Sequence, residues 1–201
     1  MELSNNNHSI FLAGETLALM KFSTVNTKKE IQYTVHHTST INCIAIDRRD
    51  KYVFTGSNDK TIKQWDVLRN GLIRDFRITS GDTEIMSLVC TKKSALISGS
   101  SSGLLRRYDI KKIDKLPKDQ IAQFEIELKI TSDAISVIET LGDEFIIVGK
   151  VGGTVLKHSA INLQKECKYS HVHQGAVTSI LINKTFATSG KDGKVNVLQY
   201  A

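Results

Sequence analysis

The chain arranges its apolar residues in short runs separated by polar residues, and not at helical intervals. The stretch "HTSTINCIAIDRRDKYVFTGSNDKTIKQWDV", residues 37–67, shows this most clearly, with the runs INCIAI, YVFTG and TIKQWDV. These runs are rich in β-branched and aromatic residues, which favour strands. The residues between them include Gly, Asn, Asp and Ser, which favour turns. The pattern therefore predicts short antiparallel strands joined by tight turns, and hence an all-β protein.

The same pattern recurs along the chain. Later copies read SGSSSGLLRRYDI, VGKVGGTVLKHSAI and TSGKDGKVNVLQY, and SIFLAGETLALMKF near the start is a partial copy. The corresponding turn residues are Asp59, Ser102, Gly152 and Asp192, so the spacings are 43, 50 and 40 residues. The longest spacing contains an insertion, KKIDKLPKDQ at 111–120, which carries the only Pro. Four short strands every ~40–45 residues is the period of a β-propeller blade.

Residues 37–67 resemble the repeat of the WD-repeat family, and the degenerate copies extend this resemblance over nearly the whole chain. The resemblance implies a single propeller domain, 1–201, of about five blades. Each blade of this family has strands a, b, c and d, and strand a lines the central channel. The expected divisions are a partial blade at 8–35 (strands b, c and d), a blade at 36–78, a blade with the basic insertion at 79–130, a degenerate blade at 131–170, and a partial blade at 171–201 (strands a, b and c).

Both end blades are thus expected to lack strands, so we expect the propeller to be incomplete or open. In many family members the first strand of the chain completes the last blade, and the candidate here is MELS, residues 1–4. Apolar sheet faces at the two ends, and an unpaired edge at 194–199, would invite association. We therefore expect other protein chains to cover the open ends. The alternatives are a small closed five-bladed ring and a chain that is part of a longer propeller protein.

The resemblance also implies a structural hydrogen-bond network. Family members place a His before strand a, a Ser or Thr on strand b, an Asp in the b–c turn and a Trp on strand c. These side chains satisfy one another's hydrogen-bonding groups when they are buried. The expected members are His37, Thr55, Asp59 and Trp65 in the strong repeat, and His173, Thr188 and Asp192 in the last blade.

Two of these patterns are also compatible with chemistry. A His, an Asp and a hydroxyl together resemble a hydrolase triad, but the sequence signals neither an open pocket nor an oxyanion site. The HVH segment places His171 and His173 on one face of an extended strand, where they could hold a metal, although no Cys or third His is near in sequence. We therefore expect no catalytic residue, no cofactor and no metal site.

The net charge of the chain is +6. In a propeller the a–b and c–d loops emerge on one face, and basic residues outnumber acidic ones in the loops assigned to that face. Loop lysines are ordinarily just solvated, but such a face can also dock an acidic protein or RNA phosphates. No aromatic residues are interleaved, so base stacking is not supported. The expected docking face comprises Arg48, Arg49, Lys51, Lys92, Lys93, Lys111, Lys112, Lys115 and Lys118.

The expected function is a non-catalytic scaffold that presents loops to partner proteins as a subunit of a larger assembly. The alternative is an RNA-associated subunit of a ribonucleoprotein that docks through the basic face, and an enzyme is the third interpretation. Three well-separated Cys indicate reduced thiols, so we expect a cytoplasmic protein, with the nucleus as the other compartment. No apolar run approaches the ~18 residues of a membrane span, so we expect no membrane insertion.

Overall fold

The computed structural model describes residues 1–15, 17–26, 28–33, 37–77, 83–117, 125–170, 172–183 and 185–199. Five small antiparallel sheets follow one another along the chain, and strands within each sheet lie in chain order. The prediction of an all-β propeller of five blades is therefore confirmed. Within the described ranges, no helix has the length and apolar character needed to cross a membrane.

Each sheet is a meander of short strands. The first contains β1 (Glu2–Leu3), β2 (Ser9–Leu12), β3 (Met20–Ser23) and β4 (Lys29–Gln32). The second contains β5 (Ile41–Ile46), β6 (Tyr52–Ser57), β7 (Thr61–Asp66) and β8 (Gly71–Arg77). The third contains β9 (Ile85–Cys90), β10 (Ala95–Ser100), β11 (Leu104–Asp109) and β12 (Ile126–Lys129). The fourth contains β13 (Ile135–Leu141), β14 (Phe145–Lys150), β15 (Val155–Ser159) and β16 (Lys165–Tyr169). The fifth contains β17 (Val177–Ile182), β18 (Phe186–Gly190) and β19 (Val195–Leu198).

The first blade has four strands, and the prediction that 8–35 forms it without strand a is wrong on this point. Glu2 pairs with Phe11 and Leu3 pairs with Ile10, so residues 2–3 form strand a of the first blade and not the missing strand of the last. The turn explains this choice, because the Ser4 N–H donates to the Ser9 carbonyl at 2.9 Å and closes the chain back on itself. The fifth sheet has three strands in the described part, as predicted.

The b–c turns share one backbone geometry, which explains the recurring glycine. Lys60, Gly103, Gly153 and Gly193 all have φ between +69° and +81°, and each donates its N–H to the carbonyl three residues earlier. Glycine adopts this left-handed conformation without steric cost. At Gly153 there is also no room for a side chain, because a Cβ would lie 2.0 Å from the carbonyl oxygen of His173.

The insertion in the third blade begins with a helical turn, α1 (Ile110–Ile113). The Asp109 carboxylate caps this turn by accepting from the N–H groups of Lys111 and Lys112. Ile110 and Ile113 are buried, so the insertion is anchored in the core at its start.

Buried apolar clusters lie between consecutive sheets. No cluster joins the described strands of the fifth sheet to those of the first, so four interfaces hold five blades as an open arc. The pairs of blades are bridged, in chain order, by Phe11 and Tyr33 with Val53 and Trp65, by Phe54 and Phe76 with Leu96 and Tyr108, by Ile97 and Leu105 with Ile146 and Leu156, and by Ile147 and Val155 with Val177 and Phe186.

The outer face of the fifth sheet is apolar. Leu181, Val195 and Val197 are 71%, 70% and 67% exposed. Leu181 and Val197 both flank Ala187 in the strand register, so they lie on the same face of this sheet. Such a face favours association with another apolar surface.

We expect the isolated chain to self-associate through this face and the Leu181→Glu, Val197→Glu double variant to do so less. Both side chains are exposed, so the substitutions should change stability by only about ±0.5 kcal/mol each. Sedimentation velocity over a range of concentrations measures the effect, and Ile161→Glu, at a 52% exposed isoleucine in the fourth blade, is the control. A wild-type chain that stays monomeric at all concentrations would contradict the expectation.

Candidate functional site

The structure brings the four predicted polar residues of the second blade together. The Nδ1 atom of His37 lies 2.8 Å from Asp59 Oδ2, and its Nε2 atom lies 2.7 Å from Thr55 Oγ1. The indole N–H of Trp65 donates to the same hydroxyl oxygen at 2.9 Å. One tautomer satisfies every group, because His37 then donates from Nδ1 to the carboxylate and accepts the Thr55 hydroxyl proton at Nε2.

Asp59 closes this network at the b–c turn. Its carboxylate also accepts from the N–H of Thr38 at 2.9 Å and from the N–H and hydroxyl of Thr61 at 3.0 and 2.6 Å. Burial acts to raise the pKa of Asp59, but the hydrogen bonds from His37, Thr61 and Thr38 outweigh it and hold this pKa well below its usual range. The carboxylate is therefore ionised at neutral pH and fixes both the turn and the imidazole.

The last blade repeats the arrangement without a Trp. His173 Nδ1 lies 3.0 Å from Asp192 Oδ1, and His173 Nε2 lies 2.9 Å from Thr188 Oγ1. The hydrogen bond from the Gln174 N–H lowers the pKa of Asp192 to about 2, with further contributions from Lys194 N–H and His173. His173 is 4% exposed and fully engaged. The other imidazole of the HVH segment, His171, lies outside the described residues.

In the degenerate fourth blade, a hydrogen bond from a side chain to the backbone replaces the network of polar side chains. Strand register places His158 opposite Ile146, as Trp65 lies opposite Val53, so His158 occupies the Trp position. Val148 offers no hydroxyl there, and His158 Nδ1 instead lies 2.8 Å from the Leu163 carbonyl oxygen, to which it donates. Burial lowers the pKa of His158, which favours the neutral ring. Sequence comparison between blades locates this residue but does not reveal its backbone partner.

The network lies in the interior, and its members bond to one another. Thr55 is fully buried, and its hydroxyl already bonds to both His37 and Trp65. A substrate therefore has no space beside this hydroxyl, as a hydrolase triad would require. Burial raises the pKa of the Cys43 thiol and of the Cys90 thiol, which keeps both protonated. Across the described ranges, no group of three His, Cys, Asp or Glu side chains is placed to hold a metal ion.

Eight of the nine residues of the expected docking face are described, and all eight are exposed. Lys118 lies outside the described residues. Lys51 pairs with Asp114 at 3.3 Å, Lys93 pairs with Glu144 at 3.9 Å, and Lys112 pairs with Glu125. Five members have no ion-pair partner in the part of the chain that the structure describes, namely Arg48, Arg49, Lys92, Lys111 and Lys115.

The sequence did not predict the cavities and the exposed apolar turns of this face. One cavity of about 460 Å³ lies between the second blade and the 114–116 segment of the third, and another of about 690 Å³ lies between the first and second blades. The c–d turns beside them expose Val25 and Leu68, at 83% and 84%. The only signal in the sequence is an apolar residue inside each of these two turns.

Comparison with known proteins agrees with this architecture. The family profile described as "WD domain, G-beta repeat" matches residues 28–66. The WD repeat-containing protein 55 homolog of Dictyostelium discoideum is 23% identical over 198 residues, which cover 97% of this chain and 45% of that protein. The target of rapamycin complex subunit wat1 of Schizosaccharomyces pombe is 21% identical over 196 residues, which cover 93% of this chain and 60% of that protein.

Among solved structures, that of U3-55K superposes with a TM-score of 0.84 at 19% identity. The superposition covers 98% of this chain and 59% of that one. At this identity the likeness shows the fold alone. The chain therefore spans about half of the first relative and about three fifths of the other two proteins.

We expect Asp59→Ala to lower the free energy of unfolding by about 1–3 kcal/mol, because it leaves buried donors on His37 and Thr61 without an acceptor. The emission of Trp65, the only Trp, reports unfolding in urea, and this side chain is 1% exposed in the fold. Asp143→Ala, in an exposed turn of the fourth blade, is the control. Equal unfolding midpoints for both variants and the wild type would contradict a structural role of Asp59.

We expect the stability of the protein to fall at acid pH as Asp192 becomes protonated. Because the pKa of Asp192 is about 2 in the fold and 3.8 is its ordinary value, the group stabilises the protein above about pH 4, and this stability is lost as the pH falls toward about 2. Asp192→Asn removes the titration, so the variant should be less stable at neutral pH and lose less stability over that window. Urea unfolding at a series of pH values measures this, with Asp143→Asn as the matched charge change. Parallel curves for Asp192→Asn and the wild type would refute the linkage.

Proposed function

We propose that this β-propeller, in which residues 28–66 match the WD-repeat profile, acts as a non-catalytic scaffold that holds partner proteins in a larger assembly. The observation that carries this proposal is that, in the part of the chain that the structure describes, the reactive polar side chains lie in the interior while unpaired cations lie on the surface. The His, Thr and Asp side chains that could do chemistry bond to one another in the interior. Five cations of the expected docking face, in contrast, are exposed and have no ion-pair partner among the described residues.

Rigidity supports this assignment. The a–b turn of the first blade is tied to that of the second, because the Asp50 carboxylate accepts from the N–H groups of Asn5 and Asn6 at 2.8 and 2.9 Å. Arg74 of the second blade donates to the carbonyl oxygens of Leu116 and Pro117 in the third at 3.0 and 3.1 Å. Neighbouring blades thus fix each other's loops, and fixed loops bind partners with a smaller entropic cost.

The partners that we propose are protein chains, and one of them covers the open end of the arc. The outer face formed by Leu181, Val195 and Val197 is of the kind that proteins bury against other proteins. The strand β19 also presents a free edge in the described part of the fifth sheet, where a partner strand can pair. One relative is named as a subunit of a complex, which agrees with this proposal.

An RNA-associated subunit is the second candidate function. Arg48, Arg49 and Lys92 lie in the a–b turns of adjacent blades, and none has a carboxylate partner among the described residues. Their shared exposure favours contact with phosphates, which would supply affinity without sequence reading. The cytoplasm suits both functions, and the nucleus is the second compartment that we propose.

Affinity purification of the tagged chain, with and without nuclease, tests the two functions. As a scaffold, the chain should retain the same partner proteins after nuclease treatment, and the Arg48→Gln, Arg49→Gln, Lys92→Gln triple variant should retain less of them. The control is the Lys129→Gln, Lys165→Gln, Lys168→Gln variant, which removes the same charge from exposed strand positions.

If the chain instead contacts RNA, nuclease should remove its partners and affinity should fall steeply with salt. Loss of binding in the control variant as well as in the triple variant would show only a net-charge effect. A wild-type chain that retains neither protein nor RNA would reject the scaffold function.

A further inference from the structure

The two cavities on the loop face adjoin each other. The cavity beside the 114–116 segment and the cavity between the first and second blades share Lys51 and Leu68 in their walls. We call this the loop-face groove, with Gln64 and Arg74 at its floor, and Val25, Leu68, Arg49 and Arg69 at its rim. Its two halves, about 460 and 690 Å³, each have the volume of a typical ligand site.

The floor contains a buried acceptor without a donor. Gln64 on β7 lies opposite Arg74 on β8, and the two residues are 1% and 4% exposed. The Arg74 guanidinium donates to two carbonyl oxygens of the 116–117 segment. The Oε1 atom of Gln64 accepts no hydrogen bond. Buried polar atoms of native proteins nearly always have a partner, so this atom calls for a donor from outside the chain.

The rim exposes apolar surface on two adjacent turns. Val25 in the c–d turn of the first blade and Leu68 in that of the second are 83% and 84% exposed, and both line the groove. Leu72 and Ile73, which are half-buried, extend the apolar wall toward the floor. A phosphate–sugar backbone gains nothing from such a wall, whereas an aliphatic side chain of a protein does.

The free charge of the groove is positive. Asp50 is held by the backbone of the first blade, Asp66 accepts from the N–H groups of its own turn, and Asp114 pairs with Lys51. Arg49 and Arg69, in contrast, are exposed and have no ion-pair partner among the described residues. The cations at the rim are therefore the charges available to a ligand.

We propose that the loop-face groove binds an extended acidic segment of a partner protein. An apolar side chain of the segment packs on Leu68, its carboxylates meet Arg49 and Arg69, and one of its backbone N–H groups donates to Gln64 Oε1 once the buried Gln64 amide turns toward the cavity. This inference rests on the proposed scaffold function and specifies the class of partner that this function uses. Backbone donation fixes the segment along the groove, and the apolar and acidic side chains select it.

Fluorescence anisotropy with labelled peptides tests the proposal on the full chain. The probe is a short peptide of alternating Glu and Leu, and the matched probes alternate Lys with Leu, and Glu with Ser. A single-stranded RNA of similar length is the fourth probe. We expect the Glu–Leu peptide to bind at least about tenfold more tightly than either matched peptide. RNA that binds and displaces this peptide would overturn the assignment in favour of a nucleic-acid site.

Three variants locate the binding in the groove. Gln64→Met keeps the side-chain volume and removes the unpartnered oxygen, so it should leave stability unchanged or raise it, while the affinity falls about fivefold. Leu68→Ser and Arg69→Glu should each weaken binding about tenfold. Ile161→Ser, at a 52% exposed isoleucine in a turn of the fourth blade, and Lys129→Glu are the matched controls and should not change it. Wild-type affinity in both Gln64→Met and Leu68→Ser would overturn the proposal.

Co-purification with the groove variants separates this inference from the scaffold function. If Leu68→Ser and Arg69→Glu release a partner that the controls keep, both proposals are supported. If they retain every partner of the wild type, the groove is not the docking site and the scaffold function stands. If the wild type itself retains no partner protein, the scaffold function fails, whatever the peptides do.

Discussion

The arc depends on a close backbone contact between neighbouring blades. Gly56, Gly99 and Gly149 occupy equivalent positions on strand b, and a Cβ at these positions would lie 2.4, 2.5 and 2.7 Å from Ile85, Ile135 and Val177 of the next blade. Strand b of the second, third and fourth blades therefore has to lack a side chain where the β-branched residue of the following strand a packs on it. This contact sets the distance from each of these three blades to the next, and apolar clusters fill the space that remains.

Most of this architecture could be predicted from sequence because it is encoded in residue types that repeat. The b–c turns and the alternating strands recur every 40–50 residues, the His–Thr–Asp set of the second blade recurs without the Trp in the last, and each has a local physical cause. Strand β1 could not be predicted in the same way. Two residues carry no periodicity, and their pairing with β2 depends on a turn that is fixed by contacts to Asp50 in another blade.

The loop face shows the second limit of sequence reasoning. Lys51, Lys93 and Lys112 look equivalent to their neighbours in the sequence, but carboxylates from distant loops pair with them. Gln64 looks like an ordinary strand residue, and only the packing of the 116–117 segment over Arg74 encloses it beside a cavity. Which charges are free, and which polar atom is without a partner, are properties of the assembled blades. The sequence can locate the face but not its groove.

The contact between neighbours also decides how stability is distributed. In a linear array each blade is stabilised by its own sheet and by the interfaces on its two sides. The second, third and fourth blades have two such interfaces, and the fifth has one in the described part of the chain. Opening of the fifth blade therefore breaks one interface, whereas opening of the third blade breaks two. Amide protons of β18 should exchange with solvent sooner than those of β10, so the arc frays from its end while its middle keeps its loops in place.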